Sequence, residues 1–99
     1  MIEESLLVLS KALDLFPKYV DVLLLRAKIL SKQKRFYDAV EDLNKCIRYD
    51  MGSLQAYVAK ADCLRSLGQF REAIGIYTEA VGKDKPNLDI LLKRAITYI

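Results

Sequence analysis

Histidine is absent from this 99-residue chain. That removes the usual general base, the Ser-His-Asp and Cys-His nucleophilic arrangements and the common zinc patterns. The nucleophilic side chains that remain are poorly placed. Cys46 and Cys63 fall far short of a disulfide framework and read as reduced thiols packed as small apolar residues in an intracellular protein. Ser31 and Lys34 have a Ser-x-x-Lys spacing, but it falls where a helix runs into a solvated turn. Activating such a lysine requires burial to lower its pKa, and the turn supplies none. Glu3–Glu4 and Glu41–Asp42 are sequence neighbours, which point in different directions on a helix and do not converge on one metal or proton. Gly68, Gly75 and Gly82 build no phosphate-cradling loop. No catalytic, cofactor-binding or metal-ligating residue is assigned, and the chain is read as a non-enzyme.

Charge offers one further candidate. Lys28, Lys32, Lys34 and Arg35 cluster in sequence, as an anion or nucleic-acid site requires, but no aromatic residue is interleaved to stack a base. Asp38, Glu41 and Asp42 follow at once, so the cluster reads as a solvated turn. The net charge of +3 is too small to imply a nucleic-acid or membrane partner. Glu3 and Glu4 stand where a signal peptide carries basic residues, and apolar runs such as Val22 to Leu25 are too short to span a bilayer. A soluble, cytoplasmic protein without membrane insertion is expected.

The elements that position these residues emerge from a repeat. With 53% apolar and 29% charged residues, only two prolines and four glycines, the composition favours long helices around a core. Equivalent residues recur every 34 positions: Leu23, Tyr57 and Leu91; Arg26, Lys60 and Arg94; Ala27, Ala61 and Ala95; Leu30, Leu64 and Tyr98. Phe36, Ala39, Val40 and Leu43 precede Phe70, Ala73, Ile74 and Tyr77 by the same step, and Ile2, Ser5, Leu6, Leu9, Ala12 and Leu13 extend it backward. Within each unit the apolar residues fall at helical spacing in two stretches, separated by polar turns at Lys32–Arg35 and Ser66–Gln69. Gly68 suits a helix C-cap and Ser53 an N-cap. Six helices are predicted, at 2–15, 20–32, 36–49, 54–66, 70–83 and 88–99. Arg26 is placed to reach Asp42 across a helix pair, while Tyr57 and Tyr77 fall on core positions.

The period and pattern resemble the tetratricopeptide repeat, W-x2-L-G-x2-Y…A-x3-F…P. Leu23-x2-Arg26-Ala27-x2-Leu30…Ala39-x3-Leu43 carries it once and Tyr57-x2-Lys60-Ala61-x2-Leu64…Ala73-x3-Tyr77 again. The closing proline appears as Pro17, becomes Met51 one unit later, and falls one residue late as Pro86. The resemblance implies an all-α fold, an α-solenoid of antiparallel helix pairs wound into a right-handed superhelix. Residues 1–99 then form one array segment. Within it, 1–19 is the second helix of an incomplete repeat, 20–53 and 54–87 are whole repeats, and 88–99 is the first helix of another.

Function follows from the resemblance as an expectation. In this family the first helices line a concave groove. The positions carried over are Asp21, Leu24, Lys28 and Ser31; then Gln55, Val58, Asp62 and Arg65; then Asp89, Leu92 and Ile96. Leu24, Lys28 and Ser31 are also i, i+4 and i+7 on one helix, beside the Leu23–Ala27–Leu30 stripe. An apolar row of Leu24, Val58 and Leu92 among charges of both signs suits a peptide or amphipathic helix of a protein partner. The basic clamp by which chaperone-binding members grip a C-terminal carboxylate maps onto Leu24, Lys28, Ala59, Asp89 and Lys93, and only the lysines are basic. A role of that kind is disfavoured. The expected function is a protein–protein interaction scaffold or adaptor, a segment of a longer protein in a multi-subunit assembly. End-to-end self-association or docking through the terminal helices is a further expectation. An RNA-binding repeat and a regulatory module of a larger enzyme are the alternatives, and acidic Asp21, Asp62 and Asp89 oppose the first.

Overall fold

A computed structural model describes residues 2–50, 53–83 and 88–98, with backbone alone at 2, 83, 88 and 89. Among the described residues there are six α-helices and no strand: α1 (Ile2–Leu15), α2 (Val20–Lys32), α3 (Phe36–Tyr49), α4 (Leu54–Ser66), α5 (Phe70–Lys83) and α6 (Leu88–Tyr98). They follow the predicted spans; Ile99 lies outside the described residues.

Each helix packs on the next in sequence, and α2 also meets α4, so the pairs stack into an elongated solenoid of 39 × 25 × 18 Å. Small residues set the spacing. Ala27, Ala39, Ala61 and Ala73 are buried at the crossings, where a larger side chain would push the backbones apart. Two apolar clusters form the core. One centres on Leu23, Leu30, Leu43 and Cys46, the other on Tyr57, Leu64, Tyr77 and Ile90, and half-buried Val40 and Ile47 of α3 pack against both. The core therefore runs along the stack.

The turns obey the same period. After α2, the Arg35 N–H donates to the Leu30 carbonyl and the Lys34 N–H to that of Ser31; after α4, Gln69 and Gly68 donate to Leu64 and Arg65. Both are Schellman closures, which require a left-handed residue just past the helix. Gly68 occupies it at φ 82°, as its predicted capping role requires, and Lys34 occupies the equivalent position at φ 63°. Ser53 caps α4 by accepting from the Ala56 N–H at 3.3 Å, as its position predicts.

The ends depart from strict equivalence. Ala27 and Ala61 are buried, yet Ala95 is exposed and Tyr98 is 68% exposed where Leu30 and Leu64 are buried. The cause is local. Ala27 and Ala61 each face the second helix of their own pair, and no described helix follows α6.

Candidate partner-binding groove

α2 and α4 lie side by side as the first helices of successive pairs, leaving a trough between them. It encloses about 630 Å³ and brings together Asp21, Leu24, Lys28 and Ser31 from α2 with Gln55 and Asp62 from α4. Ala59, a position of the mapped clamp, also lines it, as do Leu25, Ala27, Cys63, Ser66 and Phe36 of α3, which were not anticipated as lining residues. Leu25 escaped notice because its neighbour Leu24 matched the family position, although both turn toward the trough. A second recess of about 360 Å³ lies between α4 and α6, lined in part by Gln55, Val58, Asp62 and Lys93.

The expected groove residues differ in availability. Leu24 and Val58 are half-buried, each packed at the margin of a core cluster. Leu92 and Ile96 are 50% and 60% exposed and line neither recess. The Asp89 side chain lies outside the described residues. Asp21 and Lys28 are exposed and make no ion pair among the described residues.

Asp62 is engaged. It accepts from the Tyr77 hydroxyl and from Lys93 Nζ at 2.9 Å, with Arg65 3.9 Å away. Burial, reinforced by the hydrogen bond to Asp62, pushes the Tyr77 phenol well above its usual pKa. Asp62 thus ties α4 to α5 and α6. Lys93, the second lysine of the mapped clamp, is the residue it holds.

Behind the groove, the predicted pair forms. Arg26 Nε and Nη2 donate to the two carboxylate oxygens of Asp42 at 2.7 and 2.6 Å, a bidentate fork, while Nη1 reaches Ser10 Oγ of α1 at 3.3 Å. The hydrogen bond to Asp42 raises the Arg26 pKa further, so the guanidinium stays charged. Arg26 is structural, as expected.

The thiols are free and buried. Burial raises the Cys46 pKa to about 11. It raises that of Cys63 too, although a contact with Ser31 Oγ at 3.1 Å opposes the shift. Neither is a thiolate at neutral pH. Ser31 therefore meets a thiol, whereas Lys34 is exposed in the turn. Arg35 of the basic cluster pairs with Asp38 at 2.9 Å. Among the described residues no group of histidine, cysteine and carboxylate side chains is placed to hold a metal, and no helix is long and apolar enough to cross a membrane.

Comparison with known proteins identifies what this architecture resembles. Residues 1–91 match the family described as anaphase-promoting complex, cyclosome, subunit 3. Mouse tetratricopeptide repeat protein 16 is 33% identical over 85 residues, covering 79% of this chain and 11% of that protein. Among solved structures, a thermophilic tetratricopeptide protein of Thermus thermophilus superposes with a TM-score of 0.87 at 23% identity, over 98% of this chain and 50% of that one. MamA gives 0.91 at 23% identity, over 98% of this chain and 57% of that one. The first tetratricopeptide domain of Spaghetti (RPAP3), solved bound to the HSP90 peptide SRMEEVD, gives 0.89 at 18% identity, over 98% of this chain and 79% of that one. These structural likenesses establish the fold. The chain spans only a small part of its curated relative and about half of the first two structures.

Proposed function

The chain belongs to the tetratricopeptide-type family described as anaphase-promoting complex, cyclosome, subunit 3, and on that premise we propose that it is a protein-binding scaffold that seats a peptide of a partner subunit in the α2–α4 groove. The observation that carries the reading is that Leu24, Lys28 and Asp21 of α2 face Gln55 and Ala59 of α4 across one open trough. An exposed Leu25 and a half-buried Leu24 flanked by charges of both signs suit an extended segment with an apolar anchor. Leu24 and Leu25, already partly covered, each gain less than the roughly 1.5–3 kcal/mol of a fully buried anchor, which offsets part of an association cost of about 4–15 kcal/mol. One trough then supports weak binding, and a stable assembly draws on more repeats. The family description names a multi-subunit complex, which supports a place in an assembly of that kind.

The test compares stoichiometry in the purified native assembly. Leu24→Asp and Leu25→Asp, both in the trough, are expected to deplete one partner, whereas Tyr37→Ala and Phe70→Ala, exposed on the second helices, leave it in place. Equal recovery from folded groove variants would move the binding surface off the groove.

A further inference from the structure

The groove is electrically polar along its length, and this narrows the ligand. Asp21 stands near the start of α2, beside uncharged Gln55 near the start of α4. Seven residues further along α2 is Lys28, about 10 Å away at 1.5 Å per residue. Asp62, one repeat beyond Lys28, brings a negative charge to the same trough. In the structure that charge is already matched by Lys93 at 2.9 Å, with Arg65 3.9 Å away. One end of the trough is therefore acidic and the other carries a surplus of positive charge, with Leu24 between them.

We propose that the groove selects an extended peptide segment of mixed charge, a basic residue and an acidic residue three positions apart with an apolar residue between them. This rests on the groove reading above. An extended chain advances about 3.1–3.4 Å per residue, so three residues match the Asp21–Lys28 separation, and the intervening apolar side chain falls near Leu24. The trough extends along α2 from Asp21 to Ser31, about 15 Å of helix, which accommodates four or five extended residues. A wholly acidic segment places a carboxylate against Asp21, and a wholly basic one places an ammonium beside Lys28; each loses one favourable contact and gains a repulsive one.

The experiment is an NMR titration of the isotope-labelled chain with short peptides containing Lys-Leu-Ser-Glu, the reversed Glu-Ser-Leu-Lys, Lys-Leu-Ser-Lys or Glu-Leu-Ser-Glu. The better mixed-charge peptide is expected to bind about fivefold more tightly than either like-charged one at low salt, with the preference shrinking as salt rises. Asp21→Lys is expected to transfer the preference to Glu-Leu-Ser-Glu, and Lys28→Glu to Lys-Leu-Ser-Lys. Both side chains are exposed, so these variants are expected to fold. If either charge reversal leaves the ranking unchanged while Leu24→Asp still abolishes binding, the mixed-charge inference is wrong and the groove stands. If no peptide shifts groove resonances at millimolar concentration, or Leu24→Asp binds as well as the parent chain, the groove reading itself falls.

Discussion

In the pair α2–α3 the polar tie is Arg26 forked onto Asp42, at the side where Ser10 of α1 joins it. In the pair α4–α5 the equivalent residues are Lys60 and Ile76, and that tie is missing. Its place is taken on the groove side by Asp62, which holds Tyr77 and Lys93. The first repeat has Lys28 and Leu43 where the second has Asp62 and Tyr77. Both pairs nevertheless bury the same alanines and close their turns with the same hydrogen bonds. The backbone period therefore depends on the small and apolar positions, and the polar contacts that brace it are local solutions. They also decide which charges remain available in the groove: spent on Tyr77 and Lys93 at Asp62, unspent at Lys28.

Exchanging residues between the pairs breaks or sharpens this contrast. The largest effect is expected at the fork. Asp42 is 3% exposed, so Arg26→Ala strands a buried carboxylate and costs about 3 kcal/mol in urea denaturation. Converting the first pair to the residues of the second, Arg26→Lys with Asp42→Ile, removes the stranded charge and is expected to stay within about 1.5 kcal/mol of the parent. If the double variant is no more stable than Arg26→Ala, the two pairs do not share one backbone solution.

A smaller difference separates Cys46 from Ala80, its fully buried counterpart one repeat on. Folding raises the Cys46 pKa from 9.0 to about 11 because burial disfavours the thiolate. The group's contribution is thus complete below pH 9 and is lost as pH rises toward 11, since the unfolded chain releases the proton first. The loss amounts to roughly 2–3 kcal/mol. Stability measured by denaturant from pH 8 to 11 should fall less steeply in Cys46→Ala than in the parent, although the variant starts lower because it leaves a small cavity. Parallel curves would show that ionisation of this thiol is not linked to folding. Tyr77 adds to the alkaline loss in both proteins, because its pKa is raised as well.

The smallest effects concern the paired left-handed residues. A Cβ on Gly68 meets nothing within 4 Å, so Gly68→Ala carries only the left-handed penalty, about 1 kcal/mol. Lys34→Gly relieves the same penalty and is expected to stabilise by about 0.5 kcal/mol after the entropy of a new glycine is subtracted. Thermal melts showing the same sign for both substitutions would contradict the equivalence of the two turns.

Much of the fold was legible because it is carried by residue types at fixed spacing. Alanine at a close crossing, apolar residues at helical intervals and glycine after a helix each impose a short-range constraint, and a 34-residue recurrence multiplies the signal. The Arg26–Asp42 pair was legible for the same reason, both residues lying on facing helices of one unit. The candidate groove was legible only as positions. Asp62 and Lys28 are equivalent in the repeat and both carry charge, and nothing local distinguishes a free charge from an engaged one.

The order of helices, their spans and the absence of a histidine-based site were determined by the sequence alone, since covalent order and side-chain periodicity suffice for them, while the stacking of pairs was implied by the family resemblance. Tertiary structure decided that Lys93 of α6 reaches back to Asp62 of α4 and that Leu25 turns into the trough. Each of those depends on distances between residues far apart in the chain, and an electrostatic or apolar contact acts through space, along a path that the linear order of residues does not record.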